Sequence, residues 1–245
     1  MRKMQKDSVK LFVLNIGNTN TGYGVWTDGV FSGIAKIPTS RIGELEIPSG
    51  IPLAGSSVVP EASKKLSGRN IFWLNPEMNS GIDFSGADIS NMGADRLANL
   101  VAAANFAEPP PLIVADFGTA ITIDFLDRGW IFMGGVILPG RTMARKALTQ
   151  QTAKIPTVPL LENIEPFGKN TEEAVSFGTD IMITGGVKEI IGRMIDKVGY
   201  GKADVRIIGV GGDAEFFLSQ IPELTFGGDE FTLAGIAKAW EISRL

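Results

Sequence analysis

Two stretches of this chain repeat one pattern. In "LFVLNIGNTNTGYGVW" (11–26) an apolar run breaks into glycine and small hydroxyl or amide residues, then resumes; "LIVADFGTAITIDFL" (112–126) does the same about 100 residues later. Asn15 aligns with Asp116 and Gly17 with Gly118, while Thr19 falls one place beyond Thr119. Residues 11–15, 21–27 and 30–36 read as a strand meander with "TDG" (27–29) as a hairpin turn. Residues 112–140 read as strand, glycine turn, strand, turn, strand. Such a duplication constrains the fold more than any other feature. It predicts two similar α/β halves, 1–107 and 108–245, each a mixed sheet with flanking helices, with a cleft between them. The closing helix is expected to pack back on the first half.

The rest of the chain fits that frame. "IFWL" (71–74) reads as a short strand and 75–92 as a polar loop. "GADRLANLVAAANFA" (93–107) has apolar residues at helical spacing and ends before the stop "EPPP" (108–111). Helices are predicted over 140–152, within 168–199 from a Thr171 cap, and over 231–240 as an amphipathic closing segment. "VRIIGVGGDAEFFLSQ" (205–220) reads as strand, glycine turn and helix.

With 245 residues and 44% apolar content the chain can bury a large core. It has no His and no Cys, which removes thiol nucleophiles, disulfides, His-based triads and Cys/His zinc sites. Any metal must be held by oxygen, and general-base work falls first to Asp or Glu. The net charge of −4 comes with no basic stripe, which argues against a nucleic-acid partner. The basic start "MRKMQKDSVK" is followed by too few apolar residues for a signal-peptide core, and no run has the length of a membrane span. The expectation is a cytoplasmic enzyme or binding protein.

Several motifs carry chemistry. Gly17 and Gly118 can bring main-chain N–H groups close to phosphate oxygens, and Thr19 and Thr119 add hydroxyl donors. Either turn alone is as readily a plain hairpin; their pairing is the signal. Asp116 ends the "LIVAD" strand, where burial asks for a cation or donors; a metal role and a cap on the Gly118 turn both stay open. Gly211 and Gly212, in "GVGGDAEFF" (209–217), form a strand-to-helix turn that can lie against a base or phosphate. In "MGADRLAN" (92–99) Asp95 suits a helix N-terminus, whereas the cation of Arg96 opposes the dipole there. Arg96 could clamp a carboxylate substrate, and the adjacent Asp95 could take a hydroxyl proton.

These residues resemble the type III pantothenate kinases, members of the acetate/sugar kinase, Hsp70 and actin superfamily, from about residue 11 to 240. The likeness rests on "GNT" (17–19), "SSVVP" (56–60), "GADR" (93–96), "DFGTAITID" (116–124), "GGVILPG" (134–140), "GKNTEEAVSFG" (168–178) and the glycine turn at 209–212. It implies two actin-like (ribonuclease H-like) halves and ATP-dependent phosphorylation of pantothenate to 4'-phosphopantothenate, the first step of coenzyme A biosynthesis. By the same resemblance Asp95 is the catalytic base, and Gly93, Ala94, Arg96 and Thr171 meet pantothenate. Phe84 stands where the family carries an aromatic near the substrate. Asn15, Gly17, Asn18, Thr19 and Asn20 would cradle the phosphates with Mg2+, with Thr119, Gly211 and Gly212 also at the nucleotide. Asp116 would hold a monovalent cation, K+ or NH4+. A homodimer is implied, with the substrate pocket at the subunit contact and neither nucleic acid nor membrane as partner.

The chain departs from that family at three places. The family's opening D-x-G-N-T is "NIGNT" here, so Asn15 lacks the charge that magnesium prefers. The segment between Ile37 and Ser57 has room for two helical turns at most, and Pro48, Gly50 and Pro52 disfavour a regular helix. No proline follows Phe84 in "IDFSGADISNMGADR". Three readings therefore stand side by side: a working pantothenate kinase, a catalytically impaired relative with a nucleotide-binding or regulatory role, and another phosphotransferase of the superfamily.

Overall fold

The structure, a computed structural model, describes residues 9–106, 109–160 and 166–244. The basic start over 1–8, the last residue of the 93–107 helix and the first of the stop at 108 lie outside the described residues. In chain order the elements are β1 (Lys10–Ile16), β2 (Asn20–Thr27), β3 (Val30–Pro38), β4 (Leu53–Ser57), α1 (Pro60–Lys64), β5 (Ile71–Trp73) and α2 (Ala94–Phe106). They continue with β6 (Leu112–Phe117), β7 (Ala120–Asp127), β8 (Ile131–Pro139), α3 (Arg141–Gln151), α4 (Thr171–Val198), β9 (Arg206–Val210), α5 (Ala214–Gln220), β10 (Leu224–Phe226) and α6 (Phe231–Ile242). The chain forms two compact units, one of Met1–Pro109, Trp130–Phe132 and Gly228–Leu245, the other of Pro110–Gly129 and Met133–Gly227.

The first unit is a mixed sheet in the order β3-β2-β1-β4-β5. β1 runs antiparallel to β2 and parallel to β4. It is the central strand, so both of its faces are buried: Leu11 and Val13 on one, Phe12, Leu14 and Ile16 on the other. The β2–β3 hairpin turns on Asp28 and Gly29, both at positive φ (47° and 97°), which is the geometry that matches the strands' twist. Between β3 and β4 the chain makes only a 3-10 helix, Thr39–Glu44, in line with the expected absence of a regular α-helix there.

α2 buries Leu97, Leu100 and Val101 together with Ala98, Ala102 and Ala103, and α6 packs across it. The crossing depends on Gly235, where a Cβ would overlap the Ala98 carbonyl oxygen. α6 was expected to be amphipathic. It is instead buried on most of its surface, because α2 covers one side and β1, β2 and β4 the other.

The second unit repeats the plan in the order β10-β9-β6-β7-β8. β6 runs antiparallel to β7 and parallel to β9, as β1 does to β2 and β4. Its core joins Ile113, Phe117, Ile121, Ile123 and Phe125 of the sheet to Ile183, Val187, Ile191 and Ile195 of α4 and to Phe217 of α5. The spacing of the α4 residues puts them on one helix face. α4 is capped by Asn170, not by Thr171: the Asn170 side chain accepts from the Glu173 N–H at 2.9 Å, and the Glu173 carboxylate accepts from the Lys169 N–H at 2.8 Å. Thr171 is the first helical residue, so its hydroxyl does not serve as the cap.

Candidate active site

Within the first unit, β1 delivers Asn15 to its carboxyl end, paired with Gly22 on one side and Ser56 on the other. The fully buried Ser56 hydroxyl donates to Asn15 Oδ1 at 2.6 Å. Gly17, Asn18 and Thr19 form the turn, and Asn18, Thr19 and Asn20 are exposed. Buried Thr39 secures this turn from behind. Its Oγ1 donates to the Gly17 carbonyl at 2.7 Å, and its N–H donates to the Thr19 carbonyl at 2.9 Å. Thr21 Oγ1, 3.1 Å from Thr39 Oγ1, completes a short hydroxyl chain.

The same end of the sheet carries Asp95. The Val58 N–H donates to the Ile16 carbonyl at 3.1 Å, and Gly93 lies against Val58. That brings "GADR" beside the β1 end, with Ala94 opening α2 and Arg96 half-buried. Asp95 Oδ1 accepts from the Arg96 N–H at 2.8 Å and sits so close to Gly93 that a Cβ there would lie 2.6 Å away. Burial lifts the Asp95 carboxyl above its ordinary value, against the opposing pull of the Arg96 and Asp95 backbone N–H groups and of the Arg96 charge. Phe84 is half-buried and tilted on Phe132, with ring centroids 5.5 Å apart. Its loop is pinned by the Asp83 N–H to the Trp130 carbonyl and by the Phe132 N–H to the Asp83 carbonyl, both at 2.9 Å.

Within the second unit, Asp116 occupies the position on β6 that Asn15 has on β1, paired with Thr122 and Val210. The Gly118–Thr119 turn and the Gly211–Gly212 turn meet here, since the Asp213 N–H donates to the Phe117 carbonyl at 2.9 Å. Gly211 is required twice over. Its φ is +96°, and a Cβ would run into Asp116 Oδ1 and the Phe117 backbone. Thr171 lines a cavity of about 880 Å³ between α3 and α4 with Met143, Leu148, Val175 and Met182.

The sequence reading missed two features. One is Ser56, whose role depends on the β1–β4 register and has no local signature. The other is a buried charge cluster behind the second unit's turns. Arg141 makes a bidentate pair with Asp180 (2.9 Å for both bonds), Arg145 adds a third bond at 2.9 Å, and Arg141 stacks 3.5 Å above the Phe216 ring. A guanidinium at the first turn of α3 opposes the helix dipole, the same signal that singled out Arg96.

The donor set bears on metals. Among the described residues no group of three or more His, Cys, Asp or Glu side chains could hold a metal ion. At the first turn the Asn15 carbonyl oxygen already accepts from Ser56. These side chains do not fit a direct magnesium ligand set, and a divalent ion would have to arrive on the nucleotide's own phosphates.

A family model described as type III pantothenate kinase matches residues 44–193, more than half of the chain. The chain belongs to the type III pantothenate kinase family. A type III pantothenate kinase of Kosmotoga olearia is 32% identical over 92% of this chain and 93% of its own length. One from Thermosipho melanesiensis is 34% identical over 84% of this chain and 88% of its own. A Campylobacter jejuni protein of the Baf family superposes with a TM-score of 0.64 at 20% identity, covering 96% of this chain and 100% of that one. A 2-dehydro-3-deoxygalactonokinase-like protein of Sinorhizobium meliloti follows at 0.59 and 12%, covering 94% and 96%. These two likenesses show the fold, two actin-like mixed sheets with flanking helices. The family model itself begins at residue 44, after the first glycine turn, while the match to a Methylacidiphilum infernorum type III pantothenate kinase, 30% identical, extends over 95% of the chain.

Proposed function

We propose that this chain transfers the γ-phosphoryl group of ATP to the terminal hydroxyl of pantothenate, giving 4'-phosphopantothenate and ADP, the first step of coenzyme A biosynthesis. Membership of the family supports the reaction. The observation that carries it to particular residues is Asp95, a half-buried carboxylate with a raised pKa at the start of α2. In this reading Asp95 takes the hydroxyl proton as the oxygen bonds to the γ-phosphorus and the bond to ADP breaks. Arg96 holds the pantothenate carboxylate. By the family resemblance Gly17, Asn18, Thr19, Asn20, Thr119, Gly211 and Gly212 are assigned to the nucleotide. The family uses ATP with a divalent metal, which screens the phosphate charge. Asp116 suits a monovalent cation, K+ or NH4+, by its oxygen donors.

A homodimer belongs to the same proposal. Met143, Leu148 and Met182 are exposed beside the apolar α3–α4 cavity, and a second copy covering them would bring Thr171 to a pantothenate pocket at the contact. Among the described residues no helix is long and apolar enough to cross a membrane.

The test is ADP release from ATP with pantothenate as acceptor, with and without K+. Pantothenate-dependent turnover that K+ raises supports the reading; folded protein with saturating ATP, Mg2+ and K+ and no turnover overturns it. Asn15 favours one second reading, a nucleotide-binding relative of reduced activity. Under that reading calorimetry shows ATP binding while phosphoryl transfer stays near background.

A further inference from the structure

Asn15 is fixed in one orientation by the sheet. It lies directly beside Ser56 in the parallel β1–β4 pair, and the fully buried Ser56 hydroxyl gives its proton to Asn15 Oδ1 at 2.6 Å. That bond commits the amide oxygen to the β4 side. The amide nitrogen is left with two N–H donors and makes no hydrogen bond to the described residues. An unpaired donor in a half-buried position is costly unless a ligand or water completes it. A carboxylate here would present acceptors only, which repel phosphate unless a cation intervenes.

The turn beyond it is arranged for the same ligand. Thr39 holds the carbonyls of Gly17 and Thr19 from behind. Because a trans peptide sets C=O and N–H on opposite sides, the Asn18 N–H points away from Thr39. The Asn15 amide and the Asn18 N–H are therefore both donors that carry no charge of their own.

We propose that Asn15 donates a hydrogen bond from Nδ2 directly to a phosphate oxygen of the nucleotide, so that the first turn binds polyphosphate without a bridging metal ion. This rests on the reading of the chain as an ATP-dependent kinase and specifies how its first half-site holds the nucleotide.

Calorimetric titration of the full chain with ATP, once in excess EDTA and once in excess Mg2+, tests it. Wild type is expected to bind ATP in EDTA. Asn15→Asp is expected to lose metal-free affinity by about 10-fold or more, and to recover it when Mg2+ is present. Asn15→Leu, similar in volume and without charge, keeps the test open should the carboxylate variant fail to fold; its metal-free affinity should also fall by about 10-fold. Equal metal-free affinities for wild type and the folded variants overturn the proposal and leave the kinase reading intact. Wild type that binds ATP only with Mg2+ overturns it as well. Wild type that binds no ATP under either condition overturns the kinase reading itself.

Discussion

At the scale of single residues, Asp95 is where structure and chemistry meet most directly. Its carboxyl titrates above the ordinary value because burial opposes the charge. In the pH window between the ordinary and the raised value, the folded protein therefore keeps a proton that the unfolded chain has released. Stability then falls as pH rises through that window, the opposite of an acid stabilised in its charged form. Asp95→Asn should accordingly lower kcat by about 10²- to 10⁴-fold, the range a positioned base supplies. Its midpoint in urea at pH 8 should equal or exceed that of wild type, because Asn can still accept from the Arg96 N–H. A coupled ADP assay and a urea titration on one preparation check both halves. In wild type, kcat/KM for pantothenate should rise with pH until it passes the raised carboxyl value, placing the acid limb above the usual carboxylate range. The sequence made Asp95 legible, since an acid beside an arginine at a helix start is a local pattern. It left the Ser56–Asn15 bond hidden, because residues 41 apart meet only through strand register.

At the scale of elements, the longer strands and helices were readable because their apolar spacing is local, whereas the short β4, α1 and β10 were not. The cap of α4 was misplaced by one residue, although Glu173, three places after Asn170, has the capping-box spacing that marks Asn170. Of the Arg141–Asp180–Arg145 cluster only Arg141 carried a local signal, a cation in the first turn of α3; its pairing with Asp180, 39 positions on, and that of Arg145, 35 positions from Asp180, could not be read. Within it Asp180 alone pairs closely with two buried guanidiniums, while the half-buried Asp213 lies 3.9 Å from Arg141. Burial pulls the Arg145 pKa down despite the Asp180 charge, and its Nε and Nη1 have no partner among the described residues. Asp180→Ala should therefore cost about 3–5 kcal/mol, measured by urea unfolding, because two buried cations lose their counter-charge. Replacing the whole set, with Arg141→Met, Arg145→Met and Asp180→Leu together, should restore most of that loss or exceed wild type. A triple variant no more stable than Asp180→Ala would show that the cluster stabilises through something other than mutual neutralisation. In the first unit the α2–α6 crossing is equally specific. Gly235→Ala should lower stability by about 1–3 kcal/mol, since the Ala98 carbonyl occupies the space a methyl needs.

At the scale of the whole molecule, the duplication seen in two short stretches became two sheets with one strand order, and each brings a glycine turn to the carboxyl end of its central strand. The chemistry is not duplicated: one turn is headed by an amide and the other by a carboxylate. The homodimer implied by the family resemblance now has a candidate face, α3 and α4. Met182 is 62% exposed, Met143 41% and Leu148 38%, all lining one apolar cavity, a concentration that isolated soluble chains rarely leave open. A homodimer through this face should appear by light scattering at micromolar concentration as twice the 26.2 kDa chain mass. Charges of one sign placed there by Met182→Glu with Leu148→Asp should give the single-chain mass, because unpaired like charges at an apolar contact cost more than the lost area returns. The same variant should raise KM for pantothenate at low protein concentration and leave calorimetric ATP binding unchanged, since Thr171 lies on this face and the glycine turns do not. Wild type that scatters as a monomer while turning over pantothenate at full rate would remove the second copy from the reaction and return Thr171 to a purely structural place at the head of α4.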